Sequence, residues 1–188
     1  PTIYLGFPIN MSKFQTKART LQMLQRKLCC AKILPIIIFT IDDWVCRKSS
    51  VIKNITTFLG AGPWIVRSSF SGEDNLETSN AGAFSSVLNV NEEKLEEAVN
   101  TVIKSYCNDS LTEEVFVQPM LQNVEIAGVA FSHDPNTGAP DRIINWSEGS
   151  DTQEVTAGLD SNVCQIAAGT NKRLELDFTR SVTELIEE

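Results

Sequence analysis

Hydrophobic positions recur along this chain in two rhythms, one helical and one strand-like. Over Ser12 to Ala31, Leu21, Leu24 and Leu28 fall at helical spacing, which predicts a helix with Ser12 as its N-cap. Ile33 to Phe39 is a continuous apolar run of strand length, interrupted by Pro35. Thr40 or Asp42 is placed to cap a short helix carrying Trp44. Another helix is expected from Ser49 or Ser50 to Leu59, ended by Gly60-Ala61-Gly62-Pro63. Ile65 and Val66, and then Phe84 to Val90, read as strands on either side of a long loop. Asn91, followed by Glu92 and Glu93, opens a helix to about Tyr106, because an Asn cap and early acids both suit a helix N-terminus. Its buried stripe is expected to be Leu95, Val99, Val102 and Ile103. Beyond Asn108-Asp109-Ser110 the rhythm turns to strands at Val115 to Met120, Ile126 to Ser132, Arg142 to Trp146 and Val163 to Ala168. Turns such as Asp134-Pro135-Asn136-Thr137-Gly138 join them, and Ser181 starts a last helix. This order predicts an α+β chain with an N-terminal lobe over residues 1–110 and a second lobe over 111–188.

The loop from Ser68 to Ala83 carries the first chemical signal. It is rich in Ser, Gly, Asn and Ala, and Arg67 stands at its mouth. Loops of that length in compact domains are usually lids or binding loops. Backbone N–H groups exposed by small residues, beside a guanidinium, suit a phosphate chain. The competing reading is a surface loop with a solvated Arg67.

Composition narrows the field. A chain of 188 residues fits one sizeable domain or two small lobes. A net charge of −8 with no basic patch argues against a general nucleic-acid role, although a nucleoside triphosphate can still bind where local donors favour it. Cys29, Cys30, Cys46, Cys107 and Cys164 show no CxxC spacing, and His133 is the single histidine, so a zinc site is not expected. The cysteines read as reduced thiols of a cytoplasmic protein. Asn54-Ile55-Thr56 and Asn108-Asp109-Ser110 are read as chance glycosylation matches. Ile33 to Phe39 is too short to span a membrane. A start at Pro1 rather than Met suits a fragment or a processed chain.

Two sequence blocks carry a family resemblance. The first is Val66-Arg67-Ser68-Ser69, then Glu73-Asp74, Ser79-Asn80-Ala81-Gly82 and Leu88-Asn89-Val90. The second is Val117-Gln118-Pro119-Met120, followed by Gly128-Val129-Ala130-Phe131-Ser132-His133-Asp134-Pro135-Asn136-Thr137-Gly138. A looser third is Glu154-Val155-Thr156-Ala157-Gly158. In order and spacing they resemble the N-terminal nucleotide-binding domain of phosphoenolpyruvate synthase and pyruvate phosphate dikinase. The resemblance covers about residues 13–160. It implies an ATP-grasp-like fold, two lobes with the nucleotide cleft between them.

The resemblance also implies roles. Lys17, in Gln15-Thr16-Lys17-Ala18, stands where the family's lysine reaches the nucleotide phosphates, although the glycine usual two places before it is Gln15 here. A helix start favours anions, so the placement is chemically apt. The bland alternative is a solvated lysine on an exposed helix face. Arg67 is expected to contact the terminal phosphates and to act catalytically by neutralising charge during transfer. Its alternative is a surface ion pair with Glu73 or Asp74. Ala81 and Gly82 are expected to fold over the phosphates. Gln118-Pro119-Met120 resembles the segment that reads adenine through backbone groups, with Met120 against the base. Pro119 has no N–H, so neighbouring backbone must serve. Gln153 or Glu154 is expected to hold the ribose hydroxyls. His133 falls where arginine is common and reads as structural.

The family's domain ends with a metal-binding acidic pair and a QxRP-like strand; Leu174-Glu175-Leu176-Asp177-Phe178 has alternating acids but no such strand follows, so ligands for Mg2+ are expected beyond this chain. The implied activity is an ATP-dependent phosphotransferase, in which ATP phosphorylates a histidine in another domain of the same parent protein for transfer to an acceptor. Pyruvate is the default acceptor. Relatives that phosphorylate the amide of glutamine in capsule biosynthesis, or rifampicin, keep other acceptors open. A non-catalytic nucleotide-binding module is the rival from another class. The expected partners are ATP and the phosphohistidine domain, with no nucleic acid and no membrane.

Overall fold

The computed structural model describes residues 16–29, 31–71, 85–106, 110–149, 162–167 and 177–187. Their arrangement is mixed α/β with antiparallel sheets, and they fall into two compact units. The described parts of Pro1–Arg26 and Ile33–Met120 form the first, and those of Lys27–Lys32 and Leu121–Glu188 the second.

The first unit is a four-stranded antiparallel sheet covered by helices. Its strands are β1 (Ile37–Thr40), β2 (Trp64–Ser69), β3 (Ser86–Val90) and β4 (Glu114–Pro119), ordered β1-β4-β2-β3. β1 begins only at Ile37, because Pro35 has no N–H to give to the ladder. α2 (Ile41–Leu59) follows at once. Thr40 caps it with a reciprocal box, in which the Thr40 hydroxyl accepts from the Asp43 N–H at 3.0 Å and Asp43 accepts from the Thr40 N–H at 3.1 Å. The two helices expected here are one, bent at Arg47, whose φ of −138° is not helical. Gly60, at φ +78°, ends it.

Asn91 caps as expected, but the first turn, Glu92–Lys94, is a 3-10 turn, and α3 proper is Leu95–Lys104. Its buried residues are Leu95, Ala98, Val99 and Val102, and Ile103 is only partly buried. α2 and α3 pack on one face of the sheet, around Phe39, Trp64, Val66, Val115 and Val117. Each such side chain, fully buried, contributes about 1.5–3 kcal/mol. The Trp44 Nε1 donates to Asn100 Oδ1 at 3.0 Å and so ties α2 to α3.

The opposite face takes α1 (Lys17–Leu24), whose Ala18 packs with Ile36 and Phe116. Thr16 caps this helix, and it ends at Leu24, short of the expected Ala31. The expected cap, Ser12, lies outside the described residues. β4 belongs wholly to this sheet, between β1 and β2. The change of unit therefore falls after Met120 rather than near residue 110.

The second unit is a three-stranded antiparallel meander of β5 (Ile126–Phe131), β6 (Arg142–Glu148) and β7 (Asn162–Ile166), in that order. The turn between β5 and β6 is held by Asp134, whose Oδ1 accepts from the Asn136 N–H at 2.8 Å. Gly138, at φ +70°, returns its N–H to the Asp134 carbonyl at 2.8 Å. α4 (Asp177–Glu187) begins before the expected Ser181. With β5 and β6 it lines a pocket of about 440 Å³. No helix among the described residues is long and apolar enough to cross a membrane.

Candidate functional site

Side chains alternate across a strand, so β2 and β4 sort their residues onto two faces. Val66, Val115 and Val117 enter the core under α2 and α3. Arg67, Ser69, Glu114, Phe116 and Gln118 take the other face, towards α1. Arg67 is paired with Phe116 across the β2–β4 ladder and with Ser86 across the β2–β3 ladder. Its guanidinium carbon lies 5.7 Å from the centroid of the Phe116 ring, a cation–π distance. Phe116 is fully buried and Arg67 only half-buried, so the ring is a fixed platform beneath a reachable guanidinium.

Lys17 is brought to the same face. It is the first residue of α1, and the next N–H, that of Ala18, donates to Ser69 Oγ at 2.9 Å in a buried bond. Ser69 lies two residues beyond Arg67 on β2, about 7 Å along the strand. The start of α1 and Arg67 therefore share one end of one sheet face. Gln118 also faces this way, half-buried and paired with Ile65. Along β4 it is separated from Glu114 by Phe116, which spaces the two ends of this row by on the order of 13 Å.

Met120 follows β4, and its N–H donates to the Pro63 carbonyl at 2.9 Å. That amide is thus committed to the sheet margin. Ala81, Gly82, Gln153 and Glu154 lie outside the described residues, as do Glu73 and Asp74. His133 is exposed, with Nδ1 3.1 Å from Ser132 Oγ.

A hydrogen-bonded network that the sequence reading missed surrounds this end of the sheet. The Ser69 N–H donates to Tyr106 Oη at 3.2 Å, and that hydroxyl donates to the Glu114 carbonyl at 2.5 Å. Both oxygens of Glu114 are engaged, Oε2 by the Thr16 hydroxyl at 2.8 Å and Oε1 by Arg19 Nε at 2.8 Å. Glu113 accepts from the Ser71 N–H at 2.8 Å and the Ser71 hydroxyl at 2.7 Å. The signal in the sequence was two adjacent acids before the apolar run Val115-Phe116-Val117, since carboxylates at the head of a buried strand need partners.

Among the described residues, no group of three or more His, Cys, Asp and Glu is arranged to hold a metal ion. Glu113 and Glu114 already spend their oxygens on Ser71, Thr16 and Arg19, so these acids do not fit a magnesium site. The cationic residues of this region include Lys17 at the start of α1 and Arg67 on β2.

No curated protein sequence matches the chain significantly. The protein PH1788 of Pyrococcus horikoshii Ot3 aligns with a TM-score of 0.48 at 16% identity, over 91% of this chain and 62% of that one. A dinucleotide-forming acetyl-coenzyme A synthetase 1 of Ca. Korarchaeum cryptofilum, in complex with coenzyme A, Ca-AMPCP and HgCl+, aligns with a TM-score of 0.44 at 12% identity, over 91% of this chain and 63% of that one. This chain thus spans less than two thirds of either protein. A family match is more extensive: the AMP/ATP-binding domain of pyruvate phosphate dikinase matches residues 48–175. Arg67, Gln118 and Met120 fall inside that range and Lys17 falls before it. The match takes in more than half of the chain, and the chain accordingly belongs to the AMP/ATP-binding domain family of pyruvate phosphate dikinase, a nucleotide-binding family of ATP-dependent kinases and dikinases.

Proposed function

We propose that this chain is the ATP-binding part of a phosphotransferase, and that the α1 face of the first sheet receives the nucleotide's phosphates. The observation that carries the reading is the placement of Lys17 and Arg67 at one end of one sheet face, tied by the Ala18 to Ser69 bond, in a chain of this family. Lys17 supplies a point charge and Arg67 a planar fork that matches two phosphate oxygens at once. Such donors stabilise charge that shifts between oxygens during phosphoryl transfer. Gln118 and Met120 serve the base end. Ala81 and Gly82, and Gln153 or Glu154, complete the phosphate and ribose contacts on the strength of the resemblance alone, as does the ATP-grasp arrangement. In the parent protein the phosphoryl group goes to a histidine of another domain and then to an acceptor. Magnesium accompanies ATP there, on ligands that the described acids do not provide.

The test separates binding from turnover. Calorimetry with magnesium-ATP is expected to show weak binding by this chain, and a phosphate-release assay almost no hydrolysis. Absence of any ATP binding defeats the proposal. Robust turnover by this chain alone defeats the assignment of the metal ligands and the acceptor histidine to other parts of the parent.

A further inference from the structure

Lys17 can act on a phosphate only if the helix that carries it is held in place, and α1 is only eight residues long. Isolated helices of that length are marginal in water, so tertiary ties must fix this one. Beside the buried bond from the Ala18 N–H to Ser69 Oγ, two of its side-chain ties converge on Glu114. Glu114 accepts from the hydroxyl of Thr16, the N-cap immediately before Lys17, and from Arg19, two residues after it. The Arg19 Nη2 also lies 2.5 Å from Oε1. The Glu114 side chain is only 10% exposed, whereas that of Arg19 is 49% exposed, so the carboxylate is the fixed partner and the helix the held one. Glu114 itself is locked into β4 opposite Ser69, and Ser69 lies two residues from Arg67 on β2.

We propose that Glu114 is a positioning residue that sets Lys17 against the phosphates by clamping Thr16 and Arg19 on either side of it. This inference rests on the phosphate-site reading given above. Lysine carries its charge on a four-carbon stem, and a stem rooted on a loosely held helix must be ordered at the moment of binding. A fixed root removes part of that cost. Glu114 touches no ligand in this scheme. Its effect passes entirely through Lys17, which separates it from a residue that merely stabilises the fold.

The test is a double-mutant cycle on the full chain, read as dissociation constants for ATP and AMP. Glu114→Gln keeps the shape and one acceptor oxygen but loses the charge that holds Arg19. It is expected to weaken ATP by no more than Lys17→Ala does, roughly tenfold to hundredfold, and to leave AMP unchanged. In a Lys17→Ala background it is expected to add nothing further. If Glu114→Gln does not fold, as judged by circular dichroism, Arg19→Gln cuts the same clamp from its exposed end and carries the same expectation. Unchanged ATP affinity, or a loss that adds fully to that of Lys17→Ala, overturns the positioning role and leaves the phosphate site intact. If the unmutated chain binds ATP no more tightly than AMP, the phosphate-site reading fails, and this inference fails with it.

Discussion

Replacing Arg67 by lysine keeps the positive charge at the end of β2 and removes the planar fork. In the folded chain without ligand, the clearest loss is the contact with Phe116, whose ring centroid lies 5.7 Å from the guanidinium carbon. At a half-buried site such a contact is worth about 0.5–1 kcal/mol, and lysine retains part of it. The ladder bonds of β2 use backbone groups, so the substitution leaves the sheet unaltered. With ATP bound the loss is larger. One charge-assisted bond to a phosphate oxygen is worth about 1.5–3 kcal/mol, or roughly a tenfold to hundredfold change in affinity. AMP lacks the outer phosphates and is expected to hardly notice. The assay is calorimetric titration of both proteins with ATP and with AMP, accompanied by thermal melts. If Arg67→Lys leaves ATP affinity unchanged, or unfolds the first unit, Arg67 is a structural arginine and the phosphate assignment is refuted.

Two other perturbations test the fold that holds this site. Thr40→Ala removes the N-cap of α2 and is expected to cost about 0.5–2 kcal/mol, measured by urea denaturation with tryptophan fluorescence. The Thr40 N–H first, and then its hydroxyl, hold the Asp43 carboxyl below its ordinary value of 3.8. Its contribution is therefore complete above that value and is lost as pH falls through the depressed one. The stability gap between the unmutated chain and Asp43→Asn is expected at neutral pH and should close in acid. A gap that is constant with pH argues against the capping box. In the second unit, a Cβ at Gly128 would lie 2.4 Å from the Asn145 carbonyl oxygen and 3.0 Å from the Trp146 Cβ. Gly128→Ala is expected to destabilise by about 1–3 kcal/mol, since backbone rather than a flexible side chain must yield. An unshifted denaturation midpoint would show that β5 and β6 separate freely there.

Local chemistry was legible in the sequence, and long-range pairing was not. Asn91, Thr40 and Gly60 announced helix ends correctly, because a cap is a bond between residues three or four apart. The β2 and β3 strands and the β5–β6 turn at Asp134 to Gly138 were equally local. Pro35 was noticed, but its effect, a strand that begins only at Ile37, depends on which ladder the strand joins. The largest departure is β4. Its residues read as the first strand of the back half, yet they pair with β1 and β2 of the front half. Nothing in a period-2 pattern says which neighbour a strand will choose. At the site, Lys17 and Arg67 were named from the motif. The side chains that hold them were not, because Phe116, Glu114 and Tyr106 act through contacts 37 to 98 residues apart in sequence. Met120 was chosen for its backbone and thioether, and only the fold reveals that Pro63 already takes its N–H.

The most direct measurement of the central claim is residue-by-residue mapping of ATP on this chain. Amide chemical shifts of the isotopically labelled protein, followed during titration with magnesium-ATP, report where the phosphates sit. The account predicts the largest shifts at Lys17, Ala18, Arg67 and Ser69, with those shifts much reduced when AMP replaces ATP. If ATP shifts those amides no more than AMP does, or shifts only residues of β5 to β7, the phosphate site is not on the α1 face of the first sheet.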